Sequence, residues 1–282
     1  MLQIAIPNKG TLSDDAVALV REAGYRCRRS DRELRLADPE NGVEFYFLRP
    51  RDIAVYVGDG VLDLGITGRD LVRDSGASVA ELMSLGFGRA SFRYAVPRDS
   101  GLTPERFGGL RVATSYPTLV AADLAARGLE VTIVRLDGAV EIAIQLGVAD
   151  VVADVVESGQ TLAQAGLHIV GEPILVSEAV LVGRCGSDTA RPEVMTFRKR
   201  LEGIIVARDY IMVEYDVEEC RLPDACRITP GIESPTVAPL SKHGWVAVKA
   251  MTRRAEVNRI MDDLHALGAR GIIVTDIRTC RL

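Results

Sequence analysis

Through the first two thirds of the chain, short β-branched runs alternate with stretches whose apolar residues recur every three or four positions, and glycine punctuates the joins. This alternation predicts a mostly parallel α/β sheet, because parallel strands must be joined by long crossovers, usually helices. Leu2 to Ile6 reads as a strand. Leu12, Ala16, Leu19, Val20 and Ala23 then fall on one helical face, which Gly24 can close in the left-handed conformation. Val43 to Leu48 and Leu62 to Ile66 predict further strands, the second running into a helix start at Gly68-Arg69-Asp70-Leu71.

A second α/β unit begins near Phe92 to Pro97, after which Asp99 to Gly109 is polar and rich in turn residues. Strands are expected at 111–114, 131–136, 151–155 and 167–170, with helices at 119–126, 139–146 and 161–165 between them. Glu178 to Val182 is an apolar strand able to return the chain to the first unit, so two crossings predict a hinged, two-lobed body. Short helices are expected around Met195 to Val206. From Tyr210 the rhythm changes: strand to Val217, helix near 218–226, strands at 236–240 and 245–251, helix 255–267, strand 272–277. That β-α-β-β-α-β order is the ferredoxin-like arrangement. The expected division is residues 1–91 with 179–208 as one lobe, 92–178 as the other, and 209–282 as a separate small domain.

Composition narrows the function. The 282 residues are 48% hydrophobic and 26% charged, as in a globular protein of two or three domains. Thirty-four basic against 39 acidic residues give a charge of −5. That supplies no net pull toward nucleic acid or anionic membrane. No apolar run approaches the ~20 residues that span a bilayer, and the first residues lack a signal-peptide pattern, so a cytoplasmic location is expected. Five scattered cysteines without a C-x-x-C pair suggest neither a disulfide framework nor a thiolate metal site. The three histidines lack the spacing of a helical zinc site, and none sits near a nucleophile elbow.

The stretch Val151 to Leu162 is the most informative. A buried strand carrying Asp154 gives way to Ser158-Gly159-Gln160-Thr161, which opens a helix. Such a loop turns backbone N–H groups and two hydroxyls toward one point, suiting a phosphate, while the acidic side chain can reach ribose hydroxyls or a hydrated Mg²⁺. An ordinary strand-turn-helix capped by Ser158 or Thr161 is the equal alternative. Lys9 in Pro7-Asn8-Lys9-Gly10, Arg49 after Phe47-Leu48, and Arg69 after Gly65-Ile66-Thr67-Gly68 are cations at strand ends, where open α/β sheets bind ligands. Each alone reads as a surface charge; together with the loop they point to a polyanion. Asp137-Gly138-Ala139-Val140-Glu141 places Glu141 on the first turn of a helix, where an acidic residue is favoured in any case.

These segments, with Glu233-Ser234-Pro235-Thr236-Val237, resemble the ATP phosphoribosyltransferase family in its long form, over the whole chain. The resemblance implies a catalytic body of the type II periplasmic-binding-protein kind and a C-terminal ferredoxin-like regulatory domain. It implies transfer of the 5-phosphoribosyl group of phosphoribosyl pyrophosphate (PRPP) to N1 of ATP, with Mg²⁺ and release of pyrophosphate. Lys9, Arg49 and Arg69 would serve the pyrophosphate and the ATP phosphates. Glu141, Asp154, Ser158, Gly159, Gln160 and Thr161 would bind PRPP. Mg²⁺ would be held mostly through substrate phosphates, with Glu141 or Asp154 as its protein contact. Histidine would inhibit through Asp216, Ser234, Thr236 and the backbone near Gly271, in a homo-oligomer built from dimers up to a hexamer. The competing class is a two-lobed sensor that captures a phosphorylated metabolite without chemistry.

Overall fold

The computed structural model describes residues 1–27, 33–156, 159–187 and 189–281. The chain divides into two compact units, residues 1–21 with 25–194, and residues 22–24 with 195–282.

The first unit holds two sheets. Strands β1 (Leu2–Pro7), β2 (Arg35–Asp38), β3 (Val43–Leu48), β4 (Leu64–Gly68) and β5 (Val79–Ser84) build the first, with helices α1 (Thr11–Glu22), α2 (Pro50–Gly58) and α3 (Arg69–Ser75). The chain then crosses to β6 (Ala90–Pro97), β7 (Arg111–Thr114), α4 (Pro117–Ala126), β8 (Thr132–Arg135), α5 (Ile142–Gln145), β9 (Val151–Val156), α6 (Gln160–Gln164) and β10 (Leu167–Ser177). It returns as β11 (Ala179–Arg184). The sheet orders are β2-β3-β1-β4-β11-β5 and β10-β6-β9-β7-β8. In each, the strand arriving from the other lobe, β11 or β6, runs antiparallel to its neighbours beside three strands paired in parallel. This double crossing is the two-lobed type II periplasmic-binding-protein architecture expected above. The first lobe packs Ala5, Ile53, Val57, Val180 and Val182 together; the second packs Phe92, Tyr94, Val112, Val151 and Ala153.

Helix α7 (Pro192–Asp209) is continuous, where short helices were expected. Val194, Phe197, Leu201, Ile204 and Ala207 are all buried, three or four residues apart, and that single stripe holds one long helix. Strand β10 runs seven residues past its expected end at Val170, because a register shift between Val170 and Leu175 accommodates Gly171, Glu172 and Pro173. Helix α5 is shorter than the expected 139–146: Ala139 has φ 49°, which breaks the helix and lets Val140 turn into the core around Val152 and Leu162. Glu141 is thus the residue before the helix and not part of its first turn.

The second unit continues with β12 (Tyr210–Glu218), α8 (Leu222–Ile228), β13 (Thr236–Pro239), β14 (Trp245–Arg253), α9 (Val257–Leu267) and β15 (Arg270–Asp276). Its antiparallel order, β13-β14-β12-β15, is ferredoxin-like. Ile211, Val213, Tyr215 and Val217 alternate inward against Ala225, Ile260 and Leu264 of the two helices, so one sheet face is covered.

Candidate active site

A cleft of about 360 Å³ in the first unit is lined from both lobes, by Lys9, Gly10 and Thr11 after β1, Pro50 of α2, Gly68 at the end of β4 and Asp70 of α3, and Tyr116, Val155 and Ser177. It lies at the carboxyl ends of parallel strands β1 and β4, where their loops can converge on a ligand.

The motif Gly65-Ile66-Thr67-Gly68-Arg69-Asp70 has a packing logic. A Cβ on Gly65 would collide with Ile53 of α2, and one on Gly68 would collide with the Asp70 carboxylate, which folds back over the backbone. The Thr67 hydroxyl donates to the Pro50 carbonyl at 2.7 Å, tying the end of β4 to the start of α2. Asp70 is buried; its Oδ1 accepts from the Ser177 hydroxyl at 2.7 Å, and the same hydroxyl accepts from the Asp70 N–H at 3.0 Å. Tyr116, buried and edge-on to Phe92 with ring centres 5.0 Å apart, faces Asp70. Burial and the facing Asp70 charge push its phenol upward from the usual tyrosine range. The Arg51 guanidinium lies 4.4 Å from the centre of the Tyr116 ring.

Asp154 is two residues before the end of β9. Burial raises its pKa to about 6 against a hydrogen bond from the Val155 N–H; Glu141 and Asp70 add to the rise and Arg51 opposes it. Gly159 follows with φ 73°, in the left-handed conformation that favours glycine, and Gln160 and Thr161 open α6 with both side chains exposed. Ser158 lies outside the described residues.

Lys9 and Arg49 are exposed, the first on the cleft wall and the second immediately before α2. Arg69 is differently placed. Its guanidinium donates to both Glu81 oxygens at 2.9 and 2.6 Å, to Ser84 at 2.8 Å, and to Glu178 and the Val176 carbonyl at 3.3 Å. The side chain is only 18% exposed, so binding a phosphate would require these bonds to break. The sequence reading missed Asp70, Tyr116, Arg51 and Ser177. Asp70 ends a motif already in view, and two glycines in six residues were its signal; Tyr116 before Pro117 could not be told from a core aromatic.

In the second unit, Asp216 and Gly271 are neighbours on β12 and β15: a Cβ on Gly271 would lie 3.8 Å from Asp216 Oδ2. Thr236 starts β13, separated from β12 by β14, and Ser234 is in the exposed loop before it. The sheet therefore puts Asp216 beside Gly271, whereas Thr236, in line with Lys249 and Glu214, is two strands across and two residues along from Asp216, more than about 10 Å away, and three strands from Gly271.

The fold and cleft define a two-lobed α/β body whose cleft has an acidic and aromatic wall. A sequence model described as ATP phosphoribosyltransferase matches residues 49–203, and one described as the C-terminal domain of that family matches residues 207–279. ATP phosphoribosyltransferases from Salinibacter ruber and Corynebacterium jeikeium are 61% and 54% identical, with all of both chains covered in each case. A solved structure of an ATP phosphoribosyl transferase complex from Thermotoga maritima is 27% identical with a TM-score of 0.64, over 73% of this chain and 98% of that one. The chain belongs to the ATP phosphoribosyltransferase family, enzymes of the first step of histidine biosynthesis.

Proposed function

We infer that the cleft binds PRPP at the loop Gly159 to Thr161 and ATP against Tyr116, and joins the two. In this reaction adenine N1 forms a bond to ribose C1 as the C1–O bond to pyrophosphate breaks, the bonding pair leaving with the pyrophosphate. Positive charge grows on the ribose and negative charge on the leaving group, so orientation and electrostatic stabilisation carry the rate. No nucleophilic side chain is needed.

The observation that carries this reading is Asp154, five residues before the left-handed Gly159 with which Gln160 and Thr161 open α6, standing close enough to Arg51, Asp70 and Tyr116 for their charges to act on one another beside the aromatic, cation-backed wall of the cleft. Backbone N–H groups after Gly159, with the Thr161 and Ser158 hydroxyls and Gln160, hold the 5-phosphate. Asp154 and Glu141 face the ribose hydroxyls. Lys9 and Arg49 take the pyrophosphate and the ATP phosphates. Arg69 orders Glu81 and Glu178 in the arrangement described and reaches a phosphate only after releasing them. The flat adenine ring suits the Tyr116 face, with Asp70 as an acceptor for its amino group.

Phosphoribosyl transfer of this kind uses a divalent metal, and we assign Mg²⁺. Asp154, Glu141 and Asp70 are an oxygen-only set whose mutual repulsion favours a hard cation. Among the described residues no three His, Cys, Asp or Glu side chains are grouped closely enough to chelate one. Substrate phosphates would therefore supply most of its ligands, with Asp154 or Glu141 completing them; when bound it neutralises charge developing on pyrophosphate.

Residues 209–282 are read as a regulatory domain in which histidine places its ammonium on Asp216 and its carboxylate on the backbone near Gly271; Ser234 and Thr236 of the same chain, two strands across the sheet, are too far to hold that carboxylate. The resemblance supports assembly from dimers to a hexamer. Among the described residues no helix is long and apolar enough to cross a membrane, which agrees with a cytoplasmic location.

The test is Gly159→Val. A β-branched residue at φ 73° is strained by about 1–2 kcal/mol and crowds the phosphate. Transferase activity should fall at least about tenfold with the melting temperature changed by only a few degrees. Full turnover by this variant, or wild-type turnover insensitive to a chelator, would sink the assignment.

A further inference from the structure

Helix α4 has no cap of its own. Tyr116 occupies its N-cap position with φ −126° and ψ 67°, makes no side-chain bond to the first turn, and is followed by Pro117. The first N–H groups of a helix have no partner within it. Two of these, on Thr118 and Leu119, donate to Oδ1 of Asp74 at 3.0 and 3.1 Å. Asp74 belongs to α3 of the other lobe. Its Oδ2 accepts from Arg51 Nη1 at 3.4 Å, and this is the guanidinium that rests over the Tyr116 ring.

A local Ser, Thr or Asp would cap α4 as well. Capping from the opposite lobe does something more: it fixes the start of α4, and so Tyr116, relative to α3 and Asp70. The Asp74 side chain is 11% exposed, which protects these bonds from competition by water. Leu71, on the same short helix, is buried in the core of the second lobe with Tyr116, Phe92 and Val120. Polar and apolar contacts of α3 thus converge on one wall of the cleft.

We propose that Asp74 is a positioning residue for ATP: by capping α4 from the opposite lobe and holding Arg51 against the ring, it sets the wall on which the adenine lies. This rests on the cleft being the transferase site. Loss of the cap loosens the adenine wall and leaves the phosphoribosyl loop as it was.

The experiment is steady-state kinetics of the full chain with ATP and PRPP varied separately. Asp74→Ala should raise the KM for ATP about fivefold, the size of a lost cap, with the KM for PRPP changed less than about twofold. Asp74→Asn keeps an acceptor oxygen for Thr118 and Leu119 and should recover the ATP KM to within about twofold of wild type. Arg51→Met, at a side chain 46% exposed and therefore tolerant of change, should raise the ATP KM about threefold and supplies the reading if Asp74→Ala does not fold. Equal rises in both KM values, a fall in kcat alone, Asn as impaired as Ala, or an unchanged ATP KM in Arg51→Met would each overturn the proposal. Wild-type protein that fails to turn over contradicts the functional reading itself; wild-type turnover with an unaltered ATP KM in Asp74→Ala contradicts only this inference.

Discussion

Asp154 carries the sharpest consequence at the scale of single residues. Its folded pKa of about 6 lies above the ordinary 3.8, chiefly because burial penalises the charged form. A carboxyl raised in this way contributes stability that is fully present below pH 3.8 and lost as pH rises through about 6. At neutral pH the substrate-free protein therefore carries an unfavourable charge, worth up to about 3 kcal/mol. Asp154→Asn should raise the melting temperature of the substrate-free protein at pH 8, leave it nearly unchanged at pH 4, and still cost activity. If the wild-type carboxylate is the working form, turnover should decline as pH falls through about 6. A melting temperature lowered by Asp154→Asn at pH 8 would show that the carboxylate is not a strained, function-bearing charge. Asp154 was legible in the sequence because a carboxylate near the end of an apolar strand stands out. Asp70 and Asp74 were not, since an aspartate near either end of a short helix looks the same whether it binds water or a second lobe.

Among the elements, α7 shows how a local rule reverses in context. Glycine inside a helix costs about 1 kcal/mol relative to alanine, so Gly203→Ala would ordinarily stabilise. Here the Cys280 N–H donates to the Gly203 carbonyl at 2.9 Å, and a Cβ on Gly203 would lie 2.7 Å from the Cys280 carbonyl oxygen. Gly203→Ala should thus lower the melting temperature of the full chain and raise it in a chain ending at Arg278. Stabilisation in both would mean that the C-terminal residues do not pack on the helix. The sequence pattern located most strands to within two residues because β1, β3 and β9 are short, near-continuous buried runs and β12 alternates with period two. It failed at α5, where one residue with positive φ breaks a helical pattern, and at the bulged β10, where Gly171 and Pro173 resembled a terminus.

For the molecule as a whole, two chain crossings and a ferredoxin-like order could be read from alternation alone, and family resemblance added the chemistry. What pattern could not give was convergence: that Lys9, Asp70, Tyr116 and Ser177, up to 168 positions apart in sequence, line one cleft. Inhibition from another domain requires histidine to bind an active and an inactive arrangement with different affinities. Asp216→Ala should weaken histidine inhibition at least about fivefold, as expected for loss of a charge-assisted bond, with uninhibited turnover nearly unchanged. Catalysis abolished by Asp216→Ala, or no histidine binding detected by calorimetry on the intact protein, would contradict that division of labour.

A transferase cleft joins two substrates, where a sensor merely captures one. Mass spectrometry of the products formed from ATP, PRPP and Mg²⁺ by the purified full chain separates the two. Phosphoribosyl-ATP and pyrophosphate should appear in equal amounts, only with both substrates present. Saturable PRPP binding with neither product formed would instead identify a sensor, and would contradict the account.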